Sequence, residues 1–191
     1  MDKHLNRLAR SYTEDPKYPG PIPLCKTPFI PDDTYALIVE KMAIACTDVA
    51  FRPPNEEAIY IACRNVEPMK GEWIIGGRIR ADDTTLEDAI ARNVKRETGL
   101  VIANERFEFV MCNFYTWAKT SQGDFTGRNH STTYCCVISD EELAIAMANL
   151  EKQEYVLGYG LKKFNRKQLE LHVQTGGHPA LLDIFNNIFR K

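Results

Sequence analysis

The arrangement of apolar residues predicts an α/β fold. Runs rich in β-branched and aromatic residues, which are typical of strands, alternate with segments whose apolar residues recur every three or four positions, as in helices. Strands interleaved with helices favour a sheet with helices packed on it. The chain has 191 residues, 44% of them hydrophobic, which suffices for one substantial core. We therefore expect an N-terminal arm at residues 1–28 and one domain at residues 29–191.

The arm begins with a short polar segment, residues 5–12, that is predicted as a helix. Prolines then recur too often for regular structure. They are Pro16, Pro19, Pro21, Pro23 and Pro28. Two roles are open for this arm: it wraps the domain, or it reaches a partner subunit.

Six strands and three helices are predicted outside the central motif of the domain. The strands are 43–51, 58–64, 73–75, 106–113, 131–138 and 156–161. Helices are predicted at 140–150 and 166–174, and a further helix begins at Pro179. That last helix carries a broad apolar stripe, formed by Leu181, Leu182, Ile184, Phe185, Ile188 and Phe189. The stripe packs in the core or makes a homodimer contact, and the sequence leaves both open.

Residues 76–100 form the most specific pattern in the chain. A predicted strand ends in Gly76 and Gly77, where the backbone can approach a ligand closely. A loop follows, and then a helix for which Thr84 and Glu87 form a plausible capping box. Gly99 ends this helix. A glycine pair, a capped helix and a carboxylate before the final glycine can together hold a metal diphosphate.

The spacing of the glycine pair with Arg92, Glu97 and Gly99 resembles the box of the Nudix hydrolases. The general pattern has Arg-Glu seven and six residues before the closing glycine, and Glu-Glu three and two residues before it. This chain has Arg92, Asn93, Arg96 and Glu97 at those positions, so the arginine and the last glutamate remain. A similar loss of carboxylates is found in the GDP-mannose mannosyl hydrolases, a Nudix branch that hydrolyses its substrate at the sugar carbon instead of at phosphorus.

This resemblance extends over residues 29–169 and implies a Nudix α/β/α sandwich with a mixed β-sheet. It also implies a short leading helix before the first strand, which ends near Asp48. The implied cofactor is Mg²⁺, with Mn²⁺ as an alternative, because hard cations take oxygen ligands. The implied roles are substrate binding for Asp48, Arg64 and Arg78, metal binding for Gly76 and Glu97, and catalysis for Arg92, with Arg78 and Arg92 contacting phosphate oxygens.

The general base is the weakest part of the resemblance. The family branch uses a histidine beside a metal-binding glutamine, whereas residues 150–155 contain no histidine. Glu151 and Glu154 are candidate bases in that stretch, and Gln153 is a candidate metal ligand. His130, in the polar loop 121–130, is a further catalytic candidate, although a solvated turn residue is as consistent with its position.

Several of these residues also have purely structural interpretations. Asp48 can simply end a strand, Arg64 can pair with Glu67 or Glu72, and Arg92 can pair with Asp88 one turn earlier. The aromatic residues Tyr115 and Trp117 alternate on one strand and are candidates for stacking on a nucleotide base, but such residues more often pack in the core.

Composition limits the classes of partner. The net charge of −2 and the pI near 6.1 provide no basic field for nucleic acid or membrane surfaces. No long apolar run or signal-peptide pattern is present, which predicts a cytoplasmic location. The six cysteines lack metal-ligand spacing, so neither zinc nor disulfides are expected.

The resemblance therefore implies a hydrolase of a nucleoside diphosphate sugar. Water would attack the anomeric carbon and release nucleoside diphosphate and free sugar. Two alternatives stay open: a pyrophosphatase that attacks phosphorus, and a Nudix module that binds a nucleotide sugar without hydrolysing it.

Overall fold

The computed structural model describes residues 30–190, so the N-terminal arm and its expected helix lie outside the described residues. The helices in this part are α1 (Asp32–Lys41), α2 (Leu86–Thr98), α3 (Asp140–Asn149), α4 (Arg166–Gln174) and α5 (Ala180–Ile188), with a short 3₁₀ turn at Asn104–Arg106. The strands are β1 (Ala43–Arg52), β2 (Ala58–Arg64), β3 (Gly71–Trp73), β4 (Ile75–Arg78), β5 (Glu108–Trp117), β6 (Gly127–Val137) and β7 (Leu161–Asn165).

These strands form one mixed sheet with β1 at its centre. The order is β3-β2-β1-β6-β5, in which β1 and β6 are parallel and the other pairs are antiparallel. One edge of β1 pairs with β6 along its length. Its other edge pairs first with β4, from Cys46 to Val49, and then with β2 at Phe51. The strands β4 and β2 therefore diverge along β1.

Helices cover both faces of the sheet, which confirms the predicted α/β fold. One core cluster packs β1 residues such as Val49 and Phe51 against Ile90 and Val94 of α2. On the opposite face, Ala50 packs with the α5 residues Leu181 and Ile184. Neighbouring residues of β1 thus enter different layers, as alternation along a strand requires. Of the two roles open for the α5 stripe, core packing is observed, and a homodimer stays a prediction.

Some predicted elements differ from the observed ones. The last strand is Leu161–Asn165, not 156–161, because Gly158 and Gly160 have left-handed backbones that belong to a turn. The single strand predicted at 73–75 is two strands, since β3 pairs with β2 while β4 pairs with β1. Within residues 30–190, no helix combines the length and the apolar character needed to span a membrane.

The central motif also differs in its cap. The helix α2 begins one residue later than expected, with Thr85 as its N-cap: the Thr85 hydroxyl accepts from the Asp88 amide, and the Asp88 carboxylate accepts from the Thr85 amide. Thr84 and Glu87 are therefore not the capping pair. Gly99 ends the helix in the left-handed conformation, as predicted.

Candidate functional site

A cavity of about 660 Å³ opens where β4 and β2 diverge from β1. Its volume lies in the range of pockets that hold small-molecule ligands. The ends of β2, β4 and β6, the helices α1 and α2, and the segment before β7 all contribute to its walls. Five arginines line it: Arg64, Arg78, Arg80, Arg92 and Arg96. This concentration of guanidinium groups suits a ligand with several negative charges.

The glycine pair lets β4 lie directly against the carboxylate of β1. A Cβ atom at Gly76 would stand 2.1 Å from Asp48 Oδ1 and 2.6 Å from the Thr47 carbonyl oxygen. A Cβ at Gly77 would meet Asn93 Oδ1 at 2.9 Å. Glycine at position 76 therefore permits the close approach of β4 to β1, and Gly77 leaves room for the Asn93 side chain.

Asp48 is a buried carboxylate that lines the cavity. Its side chain accepts a hydrogen bond from the Ser131 hydroxyl, and the residue is only 7% exposed. Burial raises the pKa of Asp48 to about 6, although the Ser131 hydrogen bond and the charge of Arg64 act in the opposite direction. The protein therefore holds a poorly solvated carboxylate at the ligand's position.

This burial predicts that Asp48→Asn stabilises the fold above neutral pH. The pKa of Asp48 is raised in the folded state, so the folded state binds more protons than the unfolded chain between the ordinary value of 3.8 and about 6. The free energy of unfolding consequently falls as pH rises through that window. Asn at this position does not ionise, so the variant does not undergo this fall. At mildly alkaline pH, we expect the free energy of unfolding of Asp48→Asn to exceed that of the wild type by about 2 kcal/mol.

Urea unfolding at acid and alkaline pH measures this difference. The control is Asp124→Asn, since that side chain is 85% exposed and should leave the pH profile unchanged. Parallel pH profiles for wild type and Asp48→Asn would contradict the prediction.

A second group of charges forms a chain of contacts beside the cavity. Arg64 lies 3.4 Å from Glu154, and Arg96 lies 3.4 Å from the other Glu154 oxygen. Arg96 also donates to one oxygen of Glu97, whose second oxygen accepts from the Tyr155 hydroxyl. Carboxylates and guanidiniums therefore alternate in the order Glu97, Arg96, Glu154, Arg64.

Glu97 is fully buried within this chain. Burial, together with the charge of Glu154, raises the pKa of Glu97 to about 7, although Arg96 and the Tyr155 hydrogen bond oppose the shift. Glu97 is not among the residues that line the cavity. Arg96, which does line the cavity, lies against this carboxylate, and Tyr155 donates to its other oxygen.

Two further arginines of the cavity are held by contacts within the protein. Arg92 donates two hydrogen bonds to Asp83, at 2.6 and 2.7 Å, and one to the Arg78 carbonyl oxygen at 3.0 Å. Its partner is therefore Asp83 rather than Asp88, which caps α2. Arg78 donates to Gln122 at 2.9 Å, and its guanidinium lies over the Tyr35 ring, 4.4 Å from the centroid. Most donors of Arg92 are already engaged within the protein.

Aromatic rings form the floor of the cavity. Trp73 meets Tyr115 and Trp117 edge to face, with centroids 5.5 and 5.9 Å apart, and all three residues line the cavity. Tyr115 and Trp117 are also members of the core cluster on the α5 side. The two interpretations considered for these residues, core packing and ligand contact, are compatible in this geometry.

Four of the buried polar atoms without a hydrogen-bond partner belong to residues that line the cavity. They are Tyr35 Oη, Arg64 Nε, Tyr115 Oη and Trp117 Nε1. A buried polar atom without a partner costs about 1–3 kcal/mol, so native structures seldom retain one without reason. These four atoms are concentrated in residues around one cavity.

The structure brings most of the predicted site residues to this cavity. Those that line it are Asp48, Arg64, Gly76, Arg78, Arg92, Tyr115, Trp117, Gln153 and Glu154. Glu151 does not, and neither does His130. His130 lies within β6 rather than in a loop, and its neighbours Asn129 and Ser131 line the cavity while His130 is exposed. Strand alternation therefore directs its side chain away from the site.

Other residues of the site were missed in the sequence. Ser131 and Tyr155 contact Asp48 and Glu97 across separations of 83 and 58 residues, and no local pattern signals such pairs. Arg96 did carry a signal, because it replaces a glutamate of the box, but the sequence indicated only the loss of a carboxylate there.

The expected Mg²⁺ does not fit the observed donors. Both oxygens of Glu97 are engaged by Arg96 and Tyr155, and a guanidinium offers hydrogen-bond donors but no lone pair for a cation. Among residues 30–190, no group of three or more His, Cys, Asp or Glu side chains is arranged to hold a metal ion. The metal-binding role expected for Glu97 does not fit these contacts, whereas the roles expected for Gly76 and Gln153, which both line the cavity, stay predictions.

Comparison with known proteins finds a curated protein that is similar over part of the chain and solved structures that share the fold. No family model matches the sequence. The low-salt glycan biosynthesis protein Agl8 of Haloferax volcanii is 32% identical over 76 residues, which are 40% of this chain. The matched segment spans about half of that relative, 47% of its length.

Solved structures share the fold over most of the chain. The MutT protein from Methanosarcina mazei Go1 has a TM-score of 0.56 at 14% identity, covering 79% of this chain and 96% of that one. NrtR of Shewanella oneidensis has a TM-score of 0.52 at 16% identity, covering 76% and 63%. Its NUDIX domain, solved in complex with ADP ribose, also gives 0.52 at 16% identity, covering 78% and 87%. At these identities the likeness establishes a common fold.

Proposed function

The chain has the fold of the Nudix hydrolases, and from that premise we propose that it hydrolyses a nucleoside diphosphate sugar, GDP-mannose or a similar compound. The observation that carries this proposal is a cavity of about 660 Å³ that is lined by five arginines and by the aromatic residues Trp73, Tyr115 and Trp117. Such a cavity suits a ligand that joins an anionic diphosphate to polar ring systems. The similarity to a glycan biosynthesis protein, and a neighbour solved with ADP ribose, support the same ligand class.

Arg64 is the arginine best placed to bind the diphosphate. Arg64 lines the cavity, and its ion pair with Glu154 is long at 3.4 Å. Guanidinium groups bind phosphate oxygens with two parallel hydrogen bonds. Arg96, at the neighbouring wall, adds a second guanidinium. Arg92 instead holds the loop through Asp83.

The aromatic floor binds the uncharged part of the substrate. Trp117 Nε1 and Tyr115 Oη supply hydrogen bonds to ring oxygens, nitrogens or hydroxyls, while the ring faces provide apolar contact. Asp48 lines the same cavity. A carboxylate at this position accepts hydrogen bonds from sugar hydroxyls or a base amino group.

Glu154 is proposed as the general base. Of the three candidates, Glu151, Glu154 and His130, it is the one that lines the cavity. A water oxygen bonds to the anomeric carbon while the bond from that carbon to the bridging phosphate oxygen breaks. The bond's electrons leave with the diphosphate, and the water proton passes to Glu154. Arg64 and Arg96 stabilise the charge that develops on the leaving oxygen.

The binding module is the second candidate function. The observation in its favour is that Glu154 contacts two guanidiniums, which occupy the carboxylate that would accept the proton. Attack at phosphorus is the runner-up reaction within the enzyme class.

Product analysis in water enriched in ¹⁸O tests these functions together. Purified protein is incubated with a panel of nucleotide sugars led by GDP-mannose, with and without Mg²⁺. We expect free sugar that carries the label. Label in a phosphate product would instead establish phosphorus attack. Saturable binding of a nucleotide sugar without any product would support the binding module.

A further inference from the structure

Arg96 occupies the position at which a cation would neutralise the two acidic side chains of the site. Its guanidinium contacts Glu97 on one side and Glu154 on the other. Half of the Arg96 side chain is buried, at 49% exposure, whereas that of Glu97 is fully buried and that of Glu154 is 22% exposed. A single guanidinium therefore bridges a buried carboxylate, Glu97, and a carboxylate that lines the cavity, Glu154.

The acidic side chains around Arg96 are already paired with positive charges, without a divalent ion. Glu97 and Glu154 carry two carboxyl groups, and Arg96 and Arg64 place two guanidiniums in contact with them. A dication brought to Glu97 would have to displace Arg96 or lie against its positive charge, which Coulomb repulsion opposes. Mg²⁺ also demands near-octahedral oxygen ligands at about 2.0–2.1 Å, and the guanidinium contributes none of them.

We infer that Arg96 replaces the metal ion in this cavity, so that the protein binds a diphosphate through guanidinium groups and takes up no divalent cation at Glu97. The diphosphate part of this inference rests on the proposed function, whereas the absence of cation binding does not. The guanidinium supplies a fixed positive charge and hydrogen-bond donors, which are the two features that phosphate oxygens require.

The first experiment measures cation binding without any nucleotide. Metal-free wild type, Arg96→Gln and Arg96→Glu are titrated with Mn²⁺, and free Mn²⁺ is followed by its electron paramagnetic resonance signal. We expect negligible saturable binding to the wild type. Both variants should bind Mn²⁺ at least about tenfold more tightly, because Glu97 and Glu154 lose their common counter-charge. Arg166→Gln, which removes an exposed arginine paired with Glu170, is the matched control and should resemble the wild type.

The second experiment measures GDP affinity by calorimetry in EDTA and in Mg²⁺. For the wild type we expect affinities that agree within about twofold. Loss of the Arg96 charge should weaken GDP binding in EDTA by about tenfold or more, and Mg²⁺ should restore part of it. Arg96→Lys keeps a positive charge, so it should still exclude Mn²⁺ and provides the comparison if the other variants do not fold.

Two results would overturn the inference. One is stoichiometric Mn²⁺ binding by the wild type that Arg96→Gln does not improve, and the other is wild-type GDP binding that disappears in EDTA. Failure of GDP to bind under both conditions would count against the proposed function instead, and the Mn²⁺ titration would still decide the role of Arg96.

Discussion

Glu154→Gln is expected to lower kcat for the preferred nucleotide sugar by about 10³-fold, within the range observed for the loss of a general base. The amide retains the size of the side chain but cannot accept a proton from water. The backbone contacts of residue 154, an N–H to the Glu151 carbonyl and a carbonyl that accepts from Asn65, remain available. We therefore expect KM and the affinity for nucleoside diphosphate to change much less than kcat, as steady-state kinetics and calorimetry would measure.

The controls are the two candidate bases that the structure places outside the cavity. Glu151→Gln and His130→Ala should retain kcat within about threefold of the wild type, since neither side chain lines the ligand space. A large loss in His130→Ala, with Glu154→Gln still active, would reject Glu154 as the base. Equal losses in kcat and in nucleotide affinity for Glu154→Gln would indicate that it only positions Arg64 and Arg96.

The second large effect concerns stability. We expect Gly76→Ala to lower the free energy of unfolding by about 3 kcal/mol, the upper range for overpacking a filled interior. The added methyl group would stand 2.1 Å from Asp48 Oδ1, 2.6 Å from the Thr47 carbonyl oxygen and 2.9 Å from Asp48 Cα. Two of these atoms are backbone atoms of β1, so the clash can be relieved only by moving β4 or β1.

Gly77→Ala is the matched control, because its methyl group would meet only the Asn93 side chain, at 2.9 to 3.1 Å. That side chain can shift, and a smaller loss of about 1 kcal/mol is expected. Urea unfolding at one pH compares the two variants. Equal stability of Gly76→Ala and the wild type would show that β4 does not approach Asp48 as closely as described.

The sequence predicted the fold class because periodicity is a local property. The apolar face of α2 follows from residues that are neighbours in the chain, and so does the end of α2 at Gly99. The glycine pair was predicted to let the backbone approach a ligand closely; in the structure Gly76 lies against Asp48, and the approach to a ligand stays a prediction. The predictions were wrong where local signals compete. Two adjacent threonines could cap α2, and the wrong one was chosen; the last strand was predicted across two glycines that belong to a turn.

The candidate site was predicted less completely, since its members come from distant parts of the chain. The sequence indicated Asp48, Arg64 and Glu154 singly, and it indicated Arg96 only as a lost carboxylate. Folding decided that Arg96 bridges Glu97 and Glu154 and that Tyr155 covers Glu97. It also decided that strand alternation directs His130 away from the cavity.

The sequence by itself thus determined which segments become strands and helices and which side chains carry charge. Only the tertiary structure decided which charges meet, because the β1–β6 pairing and the divergence of β4 from β2 bring together residues that are far apart in sequence. Burial then changes their chemistry: water is excluded around Asp48 and Glu97, and the pKa of each is raised by that desolvation.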